Sequence, residues 1–332
     1  MKKRVFVLVA VLMLAAALLS LSAFAADNVR YVANAAMGTG DGLTAENATT
    51  LDKAFTELNT NVFTKAEHAG ETCTIYLVED ITLMQYRPEG TSSPRTAQVF
   101  SEDAHADNAV AILTMPGKAK ATITFPYGST SAARVYNYLL SGETSFDNVI
   151  FTTGVKGSIQ IPTIAAHGHK LTLGKGVETV KADGCHGIAV VGITFNASTL
   201  RTKQGEKVAN VFTPDVTVLG GSYDYIAAFS YNAAVAAGSS AKLTLGNVKV
   251  GTLSASNYFG ATVAANTSVE IVYTGKVEAE KFWPTRRPGD TNPGNASTFT
   301  HTLLKGAELT YTEMDVSKAT NATLNLRFDP TD

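Results

Sequence analysis

The sequence has few cysteines and few charged residues. It contains two cysteines, one tryptophan and ten prolines in 332 residues, and only 17% of its residues are charged. Two cysteines exclude a disulfide framework, and so little charge is unfavourable for long solvated helices. The dominance of Thr, Ala, Gly, Val and Asn instead indicates strands and turns.

Only one long apolar run is present, and it lies at the start of the chain. Three basic residues at 2–4 precede apolar residues 5–19, and Ala-Phe-Ala at 23–25 follows. This layout predicts a signal peptide over 1–25 that is cleaved before Ala26. An uncleaved anchor is the alternative, because the run is just short of the ~20 residues that cross a bilayer. We expect an exported bacterial protein, extracellular or on the cell surface, without membrane insertion after cleavage, and a periplasmic location stays open.

The net charge of the mature chain limits its partners. Without the three basic residues of the leader, the 27 Lys and Arg fall to 24 against 29 Asp and Glu, which gives a net charge of −5. A surface of this sign does not favour polyanions, so no nucleic-acid partner is expected.

The first part of the mature chain predicts a short strand, a tight loop and one helix. Residues 31–33 form the strand, and the glycine-rich segment 38–42 requires positive φ angles. Residues 49–52 fit a capping box. The apolar residues that follow share one helical face, which predicts an amphipathic helix over 51–58: Leu51, Ala54, Phe55 and Leu58.

From residue 72 onward, short runs alternate with the period of two that is typical of strands. They recur at 73–77, 121–125, 148–152, 170–173, 187–193, 215–219, 242–250, 269–273 and 323–328. The steps between central residues, from Ile123 to Asn325, are 27, 21, 19, 27, 27, 27 and 54 residues. Lys-Leu-Thr-Leu-Gly occurs at 170–174 and again at 242–246, about three such periods later. Repetition of this kind predicts a solenoid.

An array of antiparallel β-sandwiches is the alternative, since it would also show many short strands. Its hairpins should show turn signals every ~8–12 residues. Asn-Gly and Asp-Gly pairs occur only at 41–42 and 183–184, so the sequence favours the solenoid.

The strand at 31–32, the glycine loop at 40–42 and the helix at 51–58 are followed by strands at 74–83 and 146–151. In this combination the chain, over roughly 29–274, resembles the right-handed parallel β-helix proteins of the pectate-lyase-like superfamily. The resemblance implies an all-β, right-handed, single-stranded parallel β-helix with a short N-terminal capping helix. Enzymes and non-enzymes share this scaffold, so the resemblance does not give the function.

We expect one β-helix domain over 26–332. It has an N-terminal cap over 26–71, coils over 72–280, and a loop with a C-terminal coil or cap over 281–332. Three prolines and the only tryptophan predict a long loop at 283–294. At ~4.8 Å per coil, four or five coils separate Cys73 from Cys185 by about 20 Å, which exceeds the ~7 Å limit for a disulfide. We therefore predict two free thiols, with Cys73 buried.

Enzymes of this scaffold need clustered charged groups. The resemblance implies, for lyases, Ca²⁺ held by several carboxylates beside an Arg or Lys base. The densest acidic group, Glu102, Asp103 and Asp107, is the candidate Ca²⁺ loop, with an ordinary solvated loop as the alternative. No other cofactor is expected. Gly-x-His-Gly at 184–187 is similar to an element of polygalacturonase-type glycosidases, but the clustered aspartates and the Arg-x-Lys of that family are missing.

An aromatic stripe is the favoured binding feature: Tyr223, Tyr225, Phe229 and Tyr231. Tyr223 and Tyr225 should share one face of a strand and flank Asp224, an arrangement that suits sugar rings. Packing of these rings inside the solenoid is the alternative. Trp283 with Arg286 is a second candidate.

The absence of a complete catalytic set in the sequence favours a non-catalytic, adhesin-like β-helix that binds polysaccharides or the surfaces of host or neighbouring cells. A polysaccharide lyase or glycoside hydrolase acting on pectin-like polymers is the first alternative, and a purely structural surface protein is the second. The oligomeric state stays open.

Overall fold

The computed structural model describes eleven segments: 27–83, 98–99, 108–125, 137–153, 161–181, 183–193, 213–230, 237–257, 266–285, 297–317 and 322–329. The predicted signal peptide at 1–25 lies outside them. The described segments contain 22 strands and one α-helix, α1 (Leu51–Leu58), with helical turns of other types at Ala45–Asn47, Asn59–Phe63 and Ala66–His68. No helix in these segments is both long and apolar enough to cross a membrane.

The largest sheet has ten strands, and its order follows the chain. It consists of β1 (Val29–Val32), β2 (Thr72–Leu77), β5 (Ala109–Thr114), β8 (Thr144–Asp147), β11 (Lys170–Leu173), β14 (Asp215–Val218), β16 (Ser240–Leu245), β18 (Thr267–Tyr273), β20 (Ser297–Leu304) and β22 (Ala322–Asp329).

Two further sheets take the strands in between. The eight-stranded sheet contains β4 (Gln98–Val99), β7 (Asn137–Leu139), β10 (Thr163–Ala165), β13 (Ala189–Ile193), β15 (Ser222–Ser230), β17 (Val248–Ser254), β19 (Lys276–Trp283) and β21 (Glu308–Met314). The four-stranded sheet contains β3 (Ile81–Thr82), β6 (Ala121–Phe125), β9 (Val149–Thr153) and β12 (Glu178–Lys181).

All strand pairs of the three sheets are parallel, so the chain winds as a β-solenoid. This confirms the predicted all-β parallel β-helix with a short helix near the N-terminus. The ten-stranded sheet continues through β20 and β22, so these two strands near the end of the described residues belong to the solenoid.

The spacing of the coils differs from the predicted spacing. Lys170 lies opposite Asp215, and Asp215 lies opposite Lys242, so the two Lys-Leu-Thr-Leu-Gly segments are two coils apart. The prediction of about three periods was wrong, because the first of these coils is 45 residues long and the second is 27.

The N-terminal end of the solenoid is closed by α1 and by the segment before it. Buried Ala54, Phe55 and Leu58 pack into the main core, as predicted. The prediction of a capping box was wrong. The N-cap residue is Thr50, and its side chain makes no capping hydrogen bond. Thr49 instead forms a parallel β-bridge with Val32 of β1.

A partly buried ion pair links α1 to β1. The Arg30 side chain is 3% exposed and donates from Nε to Glu57 Oε2 at 3.1 Å. It also donates to the carbonyls of Asp27 and Val29. The cationic head is therefore hydrogen-bonded on several sides, which a buried charge requires.

The core is built of side-chain rows that run along the solenoid axis. One inward row of the ten-stranded sheet, buried throughout, consists of Ile75, Ile112, Phe146, Leu173, Val218, Leu245 and Tyr273. A second, smaller cluster lies on the opposite face of the eight-stranded sheet: Leu139, Ala165, Ala189, Val191, Tyr225 and Ala227. Both thiols are free and Cys73 is buried, as predicted, and Cys185 is buried as well.

A histidine takes the place of an aliphatic residue in one inward row. His301 lies opposite Ile271 and is buried. Its Nε2 lies 2.8 Å from the Pro284 carbonyl, which can only accept, so this nitrogen carries the proton. Nδ1 then accepts from the Tyr273 hydroxyl at 2.8 Å. Burial lowers the pKa of His301, although the Pro284 carbonyl opposes the shift.

We predict that the inward rows dominate stability. Leu245→Ala should lower the free energy of unfolding by about 2–5 kcal/mol, because it removes buried methyl groups and leaves a cavity. Thr244→Ala, one residue away on the outer face, should change it by about 0.5 kcal/mol or less. Denaturant titration of both variants measures the difference, and equal losses would contradict the assigned register.

We also predict that acid weakens the fold through His301. Since its pKa is lower in the folded protein than the ordinary 6.5, the unfolded chain binds an additional proton below that pH. The free energy of unfolding should therefore fall as pH drops from 7.5 to 5. His301→Gln should reduce this pH dependence. Tyr273→Phe should lower the free energy of unfolding at both pH values but keep most of the pH dependence. An unchanged pH dependence in His301→Gln would refute this assignment.

Candidate functional site: a polar groove on the eight-stranded sheet

An open groove crosses four neighbouring strands of the eight-stranded sheet, β15, β17, β19 and β21. We call it the axial groove; its volume is about 460 Å³, and it is lined by Ser222, Tyr223, Lys249, Val250, Gly251, Glu278, Ala279, Glu280, Thr310, Tyr311 and Thr312. These residues come from positions in register on successive coils. The groove therefore runs along the solenoid axis.

The groove lies where the strands interrupt their in-and-out alternation. Tyr223 and Ile226 of β15 both belong to the main core although they are three residues apart. Val250 and Leu253 of β17 show the same spacing, as do Ala279 and Phe282 of β19. At this kink a Cβ on Gly251 would lie 2.6 Å from the Asp224 carbonyl oxygen, so glycine permits the close backbone approach.

Charged side chains of both signs lie along the groove. Glu278 pairs with Lys276 at 2.7 Å and with Lys249 at 3.3 Å. The hydrogen bond from Lys276, followed by that from Lys249, lowers the pKa of Glu278, and the pKa of Lys276 is raised by the same contact. Glu278 is therefore an ionised hydrogen-bond acceptor at neutral pH.

Asp224, a predicted site residue, lies on β15 directly after two of the residues that line the groove, Ser222 and Tyr223. Its carboxylate accepts from the Gly187 backbone N–H at 2.8 Å and from Lys181 Nζ at 3.1 Å. His186 Nδ1 lies 3.7 Å from the same carboxylate. These contacts tie the segment between β12 and β13 to β15, and they occupy both carboxylate oxygens.

A second polar surface lies on the outer face of the ten-stranded sheet. One outward row has charges of alternating sign, with each residue opposite the next: Lys170, Asp215, Lys242 and Glu270. Glu143 pairs with Lys170 at 2.9 Å, and this hydrogen bond raises the pKa of Lys170. Along the neighbouring row Thr172, Thr217 and Thr244 are in register.

The predicted tyrosine platform is wrong. Tyr223 is 4% exposed, lies in the main core and donates its hydroxyl to the Gly220 carbonyl at 2.9 Å. Tyr225 is fully buried in the second cluster, with its hydroxyl 3.0 Å from Thr163 Oγ1. The kink places the two rings on opposite faces of the sheet, and neither can stack on a ligand.

Of the other predicted site residues, the structure describes Trp283 only. Trp283 is the last residue of β19, so the loop predicted to begin there starts later. Tyr231, Arg286 and the candidate Ca²⁺ ligands Glu102, Asp103 and Asp107 lie outside the described residues. Within the described segments, no group of three His, Cys, Asp or Glu side chains is placed to hold a metal ion.

Sequence reasoning missed the groove residues Lys249, Glu278 and Glu280. They occupy ordinary outward positions of strands, and the only available signal was the spacing of about one coil between Lys249 and Glu278. Recognising β19 as a strand in the register of β17 would have brought them together.

We predict that the Asp224 carboxylate stabilises its surroundings mainly through the Gly187 amide. Asp224→Ala should lower the free energy of unfolding by about 1–3 kcal/mol, since it leaves a part-buried N–H without its charged acceptor. Lys181→Ala, which removes only an exposed ion pair, should cost about 1 kcal/mol or less. Denaturant unfolding of both variants tests this, and a larger loss in Lys181→Ala would reverse the assignment.

Comparison with known proteins adds no relative. A scan against protein-family models, a search of curated proteins and a search of solved structures each find no match to the chain. The parallel β-solenoid is therefore established by the sheets alone, and the finer superfamily assignment stays a proposal.

Proposed function

We propose that this protein is an exported, extracellular or cell-surface β-helix of the pectate-lyase-like kind that binds glycans in the axial groove without turning them over. The observation that carries the proposal is the lining of this groove. Hydroxyl, carboxylate and ammonium groups line an open channel across four coils. An elongated ligand with many hydroxyl groups suits such a channel.

The groove supplies the hydrogen-bonding groups that a glycan needs. Ser222, Thr310 and Thr312 carry hydroxyls that both donate and accept, while Glu278 and Glu280 accept and Lys249 donates. Sugar hydroxyls can act in either role, so they can pair with every one of these groups. Hydrogen bonds to charged partners are stronger than neutral ones, which favours the two carboxylates as the main contacts.

The charge balance of the groove favours a neutral glycan over a uronate polymer. Lys249 and Lys276 offset Glu278 and Glu280, so the groove has no excess of positive charge for polyanionic chains. The lowered pKa of Glu278 also suits a hydrogen-bond acceptor and is unfavourable for a general acid. Both points support binding rather than pectin cleavage.

The test is retention of the purified protein on immobilised neutral and acidic polysaccharides, with reducing ends and unsaturated products measured in parallel. We expect retention on a neutral polymer without product. Glu280→Ala combined with Thr312→Ala removes two groove side chains from adjacent strands. This double variant should bind about tenfold more weakly or worse, because each lost hydrogen bond contributes about 0.5–1.5 kcal/mol.

A matched control exists on the other polar face. Glu270 and Thr300 are likewise a Glu and a Thr on adjacent strands, in the ten-stranded sheet. Glu270→Ala with Thr300→Ala should leave retention unchanged. Loss of binding in this control but not in the groove variant would move the site to the ten-stranded sheet. Product formation would replace the binding proposal with an enzyme.

A further inference from the structure

One carboxylate of the axial groove is held between two ammonium groups. Glu278 Oε1 accepts from Lys276 Nζ at 2.7 Å, and Glu278 Oε2 lies 3.3 Å from Lys249 Nζ. Each oxygen of this carboxylate therefore has its own cationic partner. We call the three residues the lysine clamp.

The backbone of the solenoid sets the geometry of the lysine clamp. Lys249 of β17 lies directly opposite Glu278 of β19 in the parallel sheet. Lys276 precedes Glu278 by two residues on β19, so the two side chains share one face of that strand. The strand register therefore fixes where the two lysines start, and both lie within reach of a single carboxylate.

The ammonium groups are more accessible than the carboxylate between them. The side chain of Lys249 is 69% exposed and that of Lys276 is 56% exposed, whereas that of Glu278 is 36% exposed. Two cations that share one carboxylate form an anion site, since hydrogen bonds between charged partners are the strong ones. The occupant of this anion site is a side chain of the protein itself.

We propose that Glu278 determines the specificity of the axial groove, because it occupies the anion site of Lys249 and Lys276 and so excludes glycans that carry carboxylates. The inference rests on the proposed function, since it assigns the residue that separates neutral from acidic ligands. An incoming uronate must displace the Glu278 carboxylate or lie beside it, and like charges repel. A neutral sugar avoids this cost, because each carboxylate oxygen keeps a lone pair for a hydroxyl.

A second carboxylate near the clamp acts differently. Glu308 of β21 lies opposite Lys276. The hydrogen bond to Glu278 raises the pKa of Lys276 most, and the charge of Glu308 adds to this shift. Loss of the Glu308 charge therefore leaves both lysines paired with Glu278, whereas loss of the Glu278 charge opens the anion site.

The test compares the retention of purified variants on immobilised polygalacturonate and on its methyl ester, which is the same chain with masked carboxylates. Glu278→Gln should be retained on polygalacturonate about tenfold more strongly than the unmodified protein at low salt, because the freed lysines gain a charged partner. This gain should disappear at about 1 M salt, which screens exposed charges beyond ~3 Å. Retention on the methyl ester should not rise.

Two further variants show whether the clamp or the net charge is responsible. Glu308→Gln changes the charge by the same amount beside the same lysine, and it should gain much less. Lys249→Ala added to Glu278→Gln should remove the gain. The circular dichroism spectra should be unchanged, since these side chains are exposed. Equal gains in Glu278→Gln and Glu308→Gln, no gain in either, or strong retention of the unmodified protein on polygalacturonate would overturn the proposal.

The outcomes separate this inference from the proposed function. Retention of the unmodified protein on a neutral polymer, without a gain in Glu278→Gln, leaves the proposed function standing and refutes the role of Glu278. A gain on polygalacturonate in a protein that no neutral polymer retains supports the occupied anion site and refutes the proposed function.

Discussion

Parallel pairing in the ten-stranded sheet is the constraint on which the rest of the molecule depends. Each coil places its inward side chains above those of the coil before, so that rows such as Leu173, Val218 and Leu245 become continuous. A slip of one residue in any strand would turn its apolar side chains outward and its threonines inward. The register thus sets the core and both polar surfaces together.

The two ends of such a stack pose a separate physical problem. At each end of a solenoid, the terminal strand has an unpaired backbone edge, and the last layer of core side chains has no layer above it, so that both need a cover. At the N-terminal end, the segment before α1 pairs the edge of β1, and Arg30 with Glu57 fills the first layer. No comparable element among the described residues covers β22.

Local patterns predicted the scaffold well and the path of the chain less well. The helix over Leu51–Leu58 and the strands Ala121–Phe125 and Lys170–Leu173 have the bounds that periodicity gives. The predicted repeat lengths compared strands that belong to different sheets. Ile150 lies in the four-stranded sheet, whereas Leu171 lies in the ten-stranded sheet, so the step between them is not the length of one coil. Coil length is set by the segments between strands, which carry no periodic signal.

The candidate site was harder to predict, for a physical reason. Residues two apart share a face only while a strand alternates regularly, and the kink at Asp224 breaks that rule for Tyr223 and Tyr225. The groove itself joins residues from successive coils, so it exists only once the register of β15, β17 and β19 is known. Aromatic content misled the prediction because burial, not composition, decides which rings meet a ligand.

The equivalence of coils makes chain length a measure of physical length. Residues 215 and 242 occupy the same position on successive layers, so a step of 27 residues adds one layer of about 4.8 Å to the solenoid. Insertion or deletion of one whole coil would change the distance between the two ends of the solenoid and keep the side-chain rows in register. The length of such a protein can therefore change in steps of one coil while the inward rows and the outer faces are kept.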